Sequence, residues 1–148
     1  MSSIEVVSIV TAIVGAMLGS AGFVLSILVF RRDRPKLIVT LQWEMALVGN
    51  PEKRIGLVRV TNTGRRPAYL AIVALQLPKG FKYDHLALMD SIPGKKLEEG
   101  GAPAVYQVTY AGMEEYKQVW NKIRAMAEDS SGKKYYSKYT KRKPSWAN

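Results

Sequence analysis

Residues able to do chemistry are few in this chain, and their spacing suits catalysis poorly. His85 is its one histidine, so a two-imidazole metal site is excluded. Adjacent carboxylates occur at Glu98–Glu99 and at Glu114–Glu115. Neighbours point to opposite faces of a strand and diverge by about 100° on a helix, so neither pair shares a proton. Glu114 and Glu115 better suit a helix N-terminus, where negative charge is favourable. Asp129 with Ser130 reads as a turn, and Gly100–Gly101 lack the strand-to-helix setting of a phosphate loop. With no cysteine, a disulfide framework, a thiolate metal site and a cysteine nucleophile are all excluded. No nucleophile–base–orienter set is legible. The expectation is a protein that is not an enzyme and uses no metal or cofactor.

What remains is positive charge. The chain has 22 Lys and Arg against 12 Asp and Glu, a formal net charge of +10. None of the basic residues precedes Arg31. They cluster at Arg31, Arg32, Arg34 and Lys36, at Arg65 and Arg66, and at Lys133, Lys134, Lys138, Lys141, Arg142 and Lys143. Each basic residue near an anionic leaflet contributes roughly 1 kcal/mol, so these are candidate lipid- or anion-binding residues. Tyr135, Tyr136, Tyr139 and Trp146 lie among the last cluster, and such interleaving also suits stacking on single-stranded nucleic acid. Lipid ranks above nucleic acid, because a tethered domain meets the membrane at high effective concentration. A solvated hairpin and tail is the competing reading.

The tether is the N-terminal segment. Val6 to Phe30 is a run of 25 residues without charge or proline, about 37 Å long as a helix. That exceeds the roughly 30 Å of a hydrocarbon core, so the segment spans with modest tilt. A cleaved leader is the rival, since Gly19 and Ala21 pass as a small-x-small site. Yet "MSSIE" carries no basic residue, which a leader wants. The flank "RRDRPK" holds four basic residues in six. By the positive-inside rule the N-terminus is outside and all that follows is cytoplasmic, in an inner or plasma membrane. Within the span, Ser8, Ala12, Gly15, Gly19, Gly22 and Ser26 recur at steps of four and three. They form one small-residue face, of the kind that lets helix backbones approach closely in lipid. The expectation is packing against a protein partner or against a second copy.

After Pro35 the periodicity changes to two. "KLIVTLQWEMALV" alternates as a half-buried strand, "GNPEKR" is a turn cluster, and "IGLVRVTN" is a second strand. "AYLAIVALQLP" is apolar on both faces, which marks a central strand or one covered on both sides. One short strand is expected near His85–Met89, an extended piece at "KKLEEGG" and a further strand at "AVYQVTY". "GMEEYKQVWNK" has helical composition, with Met113, Tyr116 and Trp120 on one face. "IRAMAEDSSGKKYYSKY" reads as a closing hairpin with Gly132 in its turn. The fold class is mainly β: a transmembrane helix followed by an antiparallel, immunoglobulin-like β-sandwich with one short helix. The divisions are 1–30 for the anchor, 31–36 for a basic juxtamembrane linker, 37–140 for the sandwich and 141–148 for a basic tail.

"VRVTNTGRRPAYL", "LEEGG" and "AEDSSGKKYY", in that order behind one span, resemble a recurrent class of small, functionally uncharacterised bacterial single-pass membrane proteins. That resemblance implies a cytosolic immunoglobulin-like domain and no activity, because its motifs are turn chemistry. Asn62 and Gly64 fit an inter-strand turn. The leading functional expectation is a membrane-anchored binding or scaffold module that engages a protein partner, with anionic lipid as a further contact. Two alternatives stand beside it: a self-oligomerising effector that perturbs the bilayer on a cytosolic signal, and an anion or nucleotide sensor.

Overall fold

The computed structural model describes residues 2–88 and 93–148. It divides into two compact units, one up to Arg34 and one from Pro35 to Asn148. The first is a helix, α1, Ser3–Arg32. It starts earlier than the apolar run because Ser2 and Glu5 cap it reciprocally. The Ser2 N–H donates to Glu5 Oε2 at 2.8 Å, and the Glu5 N–H donates to Ser2 Oγ at 3.4 Å. Such a box satisfies two of the N–H groups that a helix start leaves without partners. Thr11, Ser20 and Ser26 donate their hydroxyls to the carbonyls of Val7, Ala16 and Gly22 at 2.7–2.8 Å. These three hydroxyls of the apolar helix are thereby satisfied within it.

The second unit is β-rich and antiparallel. β1 (Leu37–Leu47) and β2 (Asn50–Asn62) form a hairpin, and β6 (Ala104–Val108) adds to β2, giving the order β1-β2-β6. The other sheet has β3 (Ala68–Gln76) at its centre, between β4 (His85–Ala87) and β7 (Arg124–Asp129), with β8 (Lys134–Tyr136) outside β7. β5 (Lys95–Leu97) pairs with the start of β3, residues Ala68–Leu70. Met89, the expected end of the fourth strand, lies outside the described residues.

Alternation explains what is buried. Leu37, Val39, Leu41 and Trp43 of β1 face inward with Val58 and Val60 of β2 and Tyr106 of β6. Leu70, Val73, Leu75, Ala125 and Ala127 of the other sheet join them in one core. In β3 the inward set switches from Ala68 and Leu70 to Val73 and Leu75. A register shift between Leu70 and Ile72 produces the switch, since one extra residue exchanges the two faces of a strand. This is why "AYLAIVALQLP" is apolar at both parities.

Three details differ from expectation. The first turn is tighter than "GNPEKR": β2 already begins at Asn50, and Gly49 takes φ +89° to reverse the chain. The "GMEEYKQVWNK" segment is a 3₁₀ helix, Glu114–Lys122, seated by buried Met113 and Tyr116, with Trp120 only partly buried. Finally, the last residues are not a separate tail. Pro144, Trp146 and Ala147 are buried, because Trp146 packs edge-on against Trp43 at 5.5 Å between ring centroids.

Candidate binding surfaces

Two polar knots fix the β unit at opposite ends of its first strand. At the start of β1, Asn62 is 2 % exposed and uses its whole amide. Its Oδ1 accepts from the N–H groups of Gly64 at 2.9 Å and Lys36 at 3.4 Å. Its Nδ2 donates to the carbonyls of Arg66 at 2.7 Å and Leu97 at 2.9 Å. The Lys36 carbonyl in turn accepts from the Thr63 N–H at 2.8 Å. One buried side chain therefore draws together the entry to β1, the connection carrying Arg65 and Arg66, and the end of β5. Lys36, Arg65 and Arg66 are exposed, and this end of the unit is basic. Lys95 and Lys96 on β5 belong to it too, although nothing in their spacing set them apart. Lys96 is paired with Glu98 at 2.8 Å.

At the far end of β1, Glu44 interrupts the ladder. It is a non-glycine residue at φ +64°, and the register shifts between Gln42 and Met45. Side chains resist this conformation, and here bonds on both sides hold it. The Glu44 N–H donates to Tyr110 Oη at 2.9 Å, and Tyr110 Oη donates to Glu44 Oε1 at 3.0 Å. Ser145 donates to the same oxygen from its N–H at 2.6 Å and its hydroxyl at 2.8 Å. Burial pushes the carboxyl upward, but the bonds from Ser145 and Tyr110 outweigh it and hold Glu44 below its ordinary value. Glu44 thus pins the C-terminal segment onto β1. The one charged residue in an otherwise neutral strand was the available sequence signal for it.

The closing hairpin has a comparable anchor. Asp129, 4 % exposed, accepts at Oδ1 from Ser131 N–H at 2.9 Å and from Lys133 N–H at 3.1 Å. Its Oδ2 accepts from Tyr135 Oη at 3.1 Å. Burial again opposes ionisation, and these donors prevail, so the carboxyl sits below its usual range. Burial and the neighbouring Asp129 push the Tyr135 phenol up to about 12. Both shifts are those of a rigid turn, and Gly132 at φ +81° completes it.

Apart from half-buried Arg124, the basic residues of the C-terminal third are exposed, but they occupy different settings. Lys133 lies 5.0 Å from the centre of the Tyr135 ring, and Lys134 faces Glu128 at 3.8 Å. Lys138, Lys141 and Arg142 line a groove along β1, and Lys143 precedes buried Pro144. Arg124 stacks over Tyr136 at 4.0 Å and Tyr139 at 5.5 Å, with its Nε–H donating to Gln76 at 2.7 Å. That stacking absorbs two of the tyrosines expected to interleave with lysine for nucleic acid.

α1 is exposed along its length, and no part of Ser3–Arg31 is buried within the protein. A Cβ added at Gly15, Gly19 or Gly22 would meet nothing within 4 Å. Ser8, Ala12 and Ser26 are exposed too, while Arg31, exposed as well, and Arg32 close the helix. Arg34 lies over the Phe30 ring at 5.1 Å. Among the described residues no group of three His, Asp or Glu side chains converges as a metal site would require. No protein-family model matches the chain, and no curated protein matches its sequence.

Proposed function

We propose that this protein is a membrane-anchored binding or scaffold module. In this reading α1 crosses the inner or plasma membrane once, and the β unit engages a protein partner from the cytoplasm without catalysing a reaction. The observation that carries it is α1 itself, long and apolar enough to span a bilayer, its apolar side chains exposed throughout. Water solvates such a surface poorly at roughly 25 cal/mol per Å², whereas hydrocarbon accepts it. The orientation follows from Arg31, Arg32, Arg34 and Lys36 on one flank only. The basic end at Lys36, Arg65 and Arg66 supplies a secondary contact for anionic headgroups.

The β unit is read as an immunoglobulin-like sandwich. Strand order supports this: β1-β2-β6 in one sheet and β4-β3-β7-β8 in the other is the alternation of a two-sheet Greek key. Such a scaffold leaves function to its surfaces.

A cysteine-free chain makes the topology directly testable. Ser2→Cys should react with a membrane-impermeant maleimide in intact cells, and Lys138→Cys only after lysis. The reverse pattern overturns the orientation, and release of the protein by carbonate wash overturns the anchor.

A second reading, the self-assembling effector, is favoured by the glycine face, which no contact among the described residues explains. If α1 pairs with its own copy, Gly15→Leu with Gly19→Leu should convert a nanodisc oligomer to monomer. A wild-type monomer removes self-pairing.

A further inference from the structure

Among the described residues, the longest sheet edge in the β unit is left open. β4 and β8 are three residues each and β6 is five, whereas β1, at the edge of its sheet, is eleven. Natural edges are blunted by shortness, lysine, proline or a bulge. From Leu37 to Gln42 β1 has none of these, and its ladder to β2 is regular until the shift beyond Gln42. In an antiparallel pair every second residue turns its N–H and C=O away from the partner strand. Six residues of edge, about 20 Å long, therefore offer backbone groups to which no further strand is paired among the described residues.

A groove of about 600 Å³ runs along this edge. It is lined by all of residues 37–42 and, opposite, by five of the six residues 135–140. Side chains of consecutive strand residues point to opposite faces. A groove touching every residue of such a run lies on the strand's edge and not on its face. A second groove continues it past Trp43 to Lys141 and Arg142, sharing Leu41, Gln42 and Thr140 with the first. Together they make an open seam between the two sheets. Trp43 Nε1 and Thr140 Oγ1, on residues that line it, are buried without a hydrogen-bond partner.

Charge selects what fits there. Lys138, Lys141 and Arg142 line the seam and are exposed. Its single carboxylate, Glu44, is already committed to Ser145 and Tyr110. We infer that the seam receives an extended acidic segment of a partner protein, which adds as a strand along Leu37–Gln42 and sets its carboxylates against Lys138, Lys141 and Arg142. Main-chain bonds to β1 supply affinity, and the basic rim supplies choice of partner. Ile38, exposed beside them, takes an apolar side chain of the incoming strand. This inference rests on the reading of the β unit as a protein-binding module.

The test uses the full chain in nanodiscs as bait for a displayed library of random 12-residue peptides. Selected peptides should alternate apolar and acidic residues and slow amide exchange at Leu37–Gln42. N-methylation in one alternate register should abolish binding, and in the other should leave it intact. Lys138→Glu with Lys141→Glu, neither residue holding an ion pair among the described residues, should weaken binding about tenfold. Peptides that protect a different surface overturn the seam and leave the module standing. A library yielding no binder overturns both. Exchange protection of Leu37–Gln42 that grows with two copies per nanodisc, without peptide, assigns the edge to a second copy and overturns the acidic partner.

Discussion

α1 and the β unit are both rich in apolar residues, yet they treat them in opposite ways. In α1, Leu18 is 69 % exposed and Gly19 touches nothing; in the β unit, Leu70 is 1 % exposed and Gly56 lies under the Trp43 ring. The difference is one of solvent. A helix satisfies its own backbone and needs only an apolar medium around it. A strand must find partners, and its apolar face must find a second layer. The apolar helix is thus specified by composition alone, and the β unit by contacts between residues far apart in sequence.

Matched substitutions in the two regions test that contrast. Leu70→Ala should destabilise the β unit by about 3–5 kcal/mol through the cavity it leaves. Leu18→Ala should not move the unfolding midpoint of the β unit, read by urea titration of the full chain. Equal effects would mean that α1 packs as a core helix does. Asn62→Ala comes next, at about 2–3 kcal/mol, because it removes the buried bond to the Leu97 carbonyl and the half-buried bond to the Arg66 carbonyl. Amide exchange should then rise at Gly64 and at the entry to β1 before it rises elsewhere. Gly56→Ala places a Cβ 2.6 Å from the Trp43 ring and should cost about 1–3 kcal/mol, with a changed tryptophan emission. Gly19→Ala should leave the midpoint unchanged.

The smallest effect is pH-dependent. Asp129 is held below its ordinary carboxyl value in the folded state, so its contribution is complete above the unfolded value of about 3.9. It is lost as pH falls from there through the folded value. Asp129→Asn should lower stability by about 1–2 kcal/mol at neutral pH, and the gap to wild type should close in acid. A gap that persists unchanged to pH 2 would separate the turn's rigidity from Asp129's charge.

Much of this layout can be read from residue order. The 25-residue apolar run, the alternation in β1 and the Gly132 hairpin are local patterns, and each maps onto the observed elements. Harder to read were the features made by distant contacts. Asn62 looked like one more turn residue, and only its four partners from three segments reveal why that end of the unit is basic. Trp146 sat in a run that reads as a solvated tail. It is buried because Trp43 and Tyr110 lie across from it, about a hundred residues earlier in the case of Trp43. Glu44 left a weak mark, a lone charge in an apolar strand, but its left-handed backbone follows from Ser145 and Tyr110.

Sequence by itself determined the long apolar helix, the basic flank and the two-residue rhythm of the strands, because hydrophobicity along a short stretch decides those. Tertiary structure decided which edge stays open, which lysines line it and where the C-terminus docks. Those outcomes depend on strand order and sheet packing, and no local pattern encodes which strand is left without a neighbour.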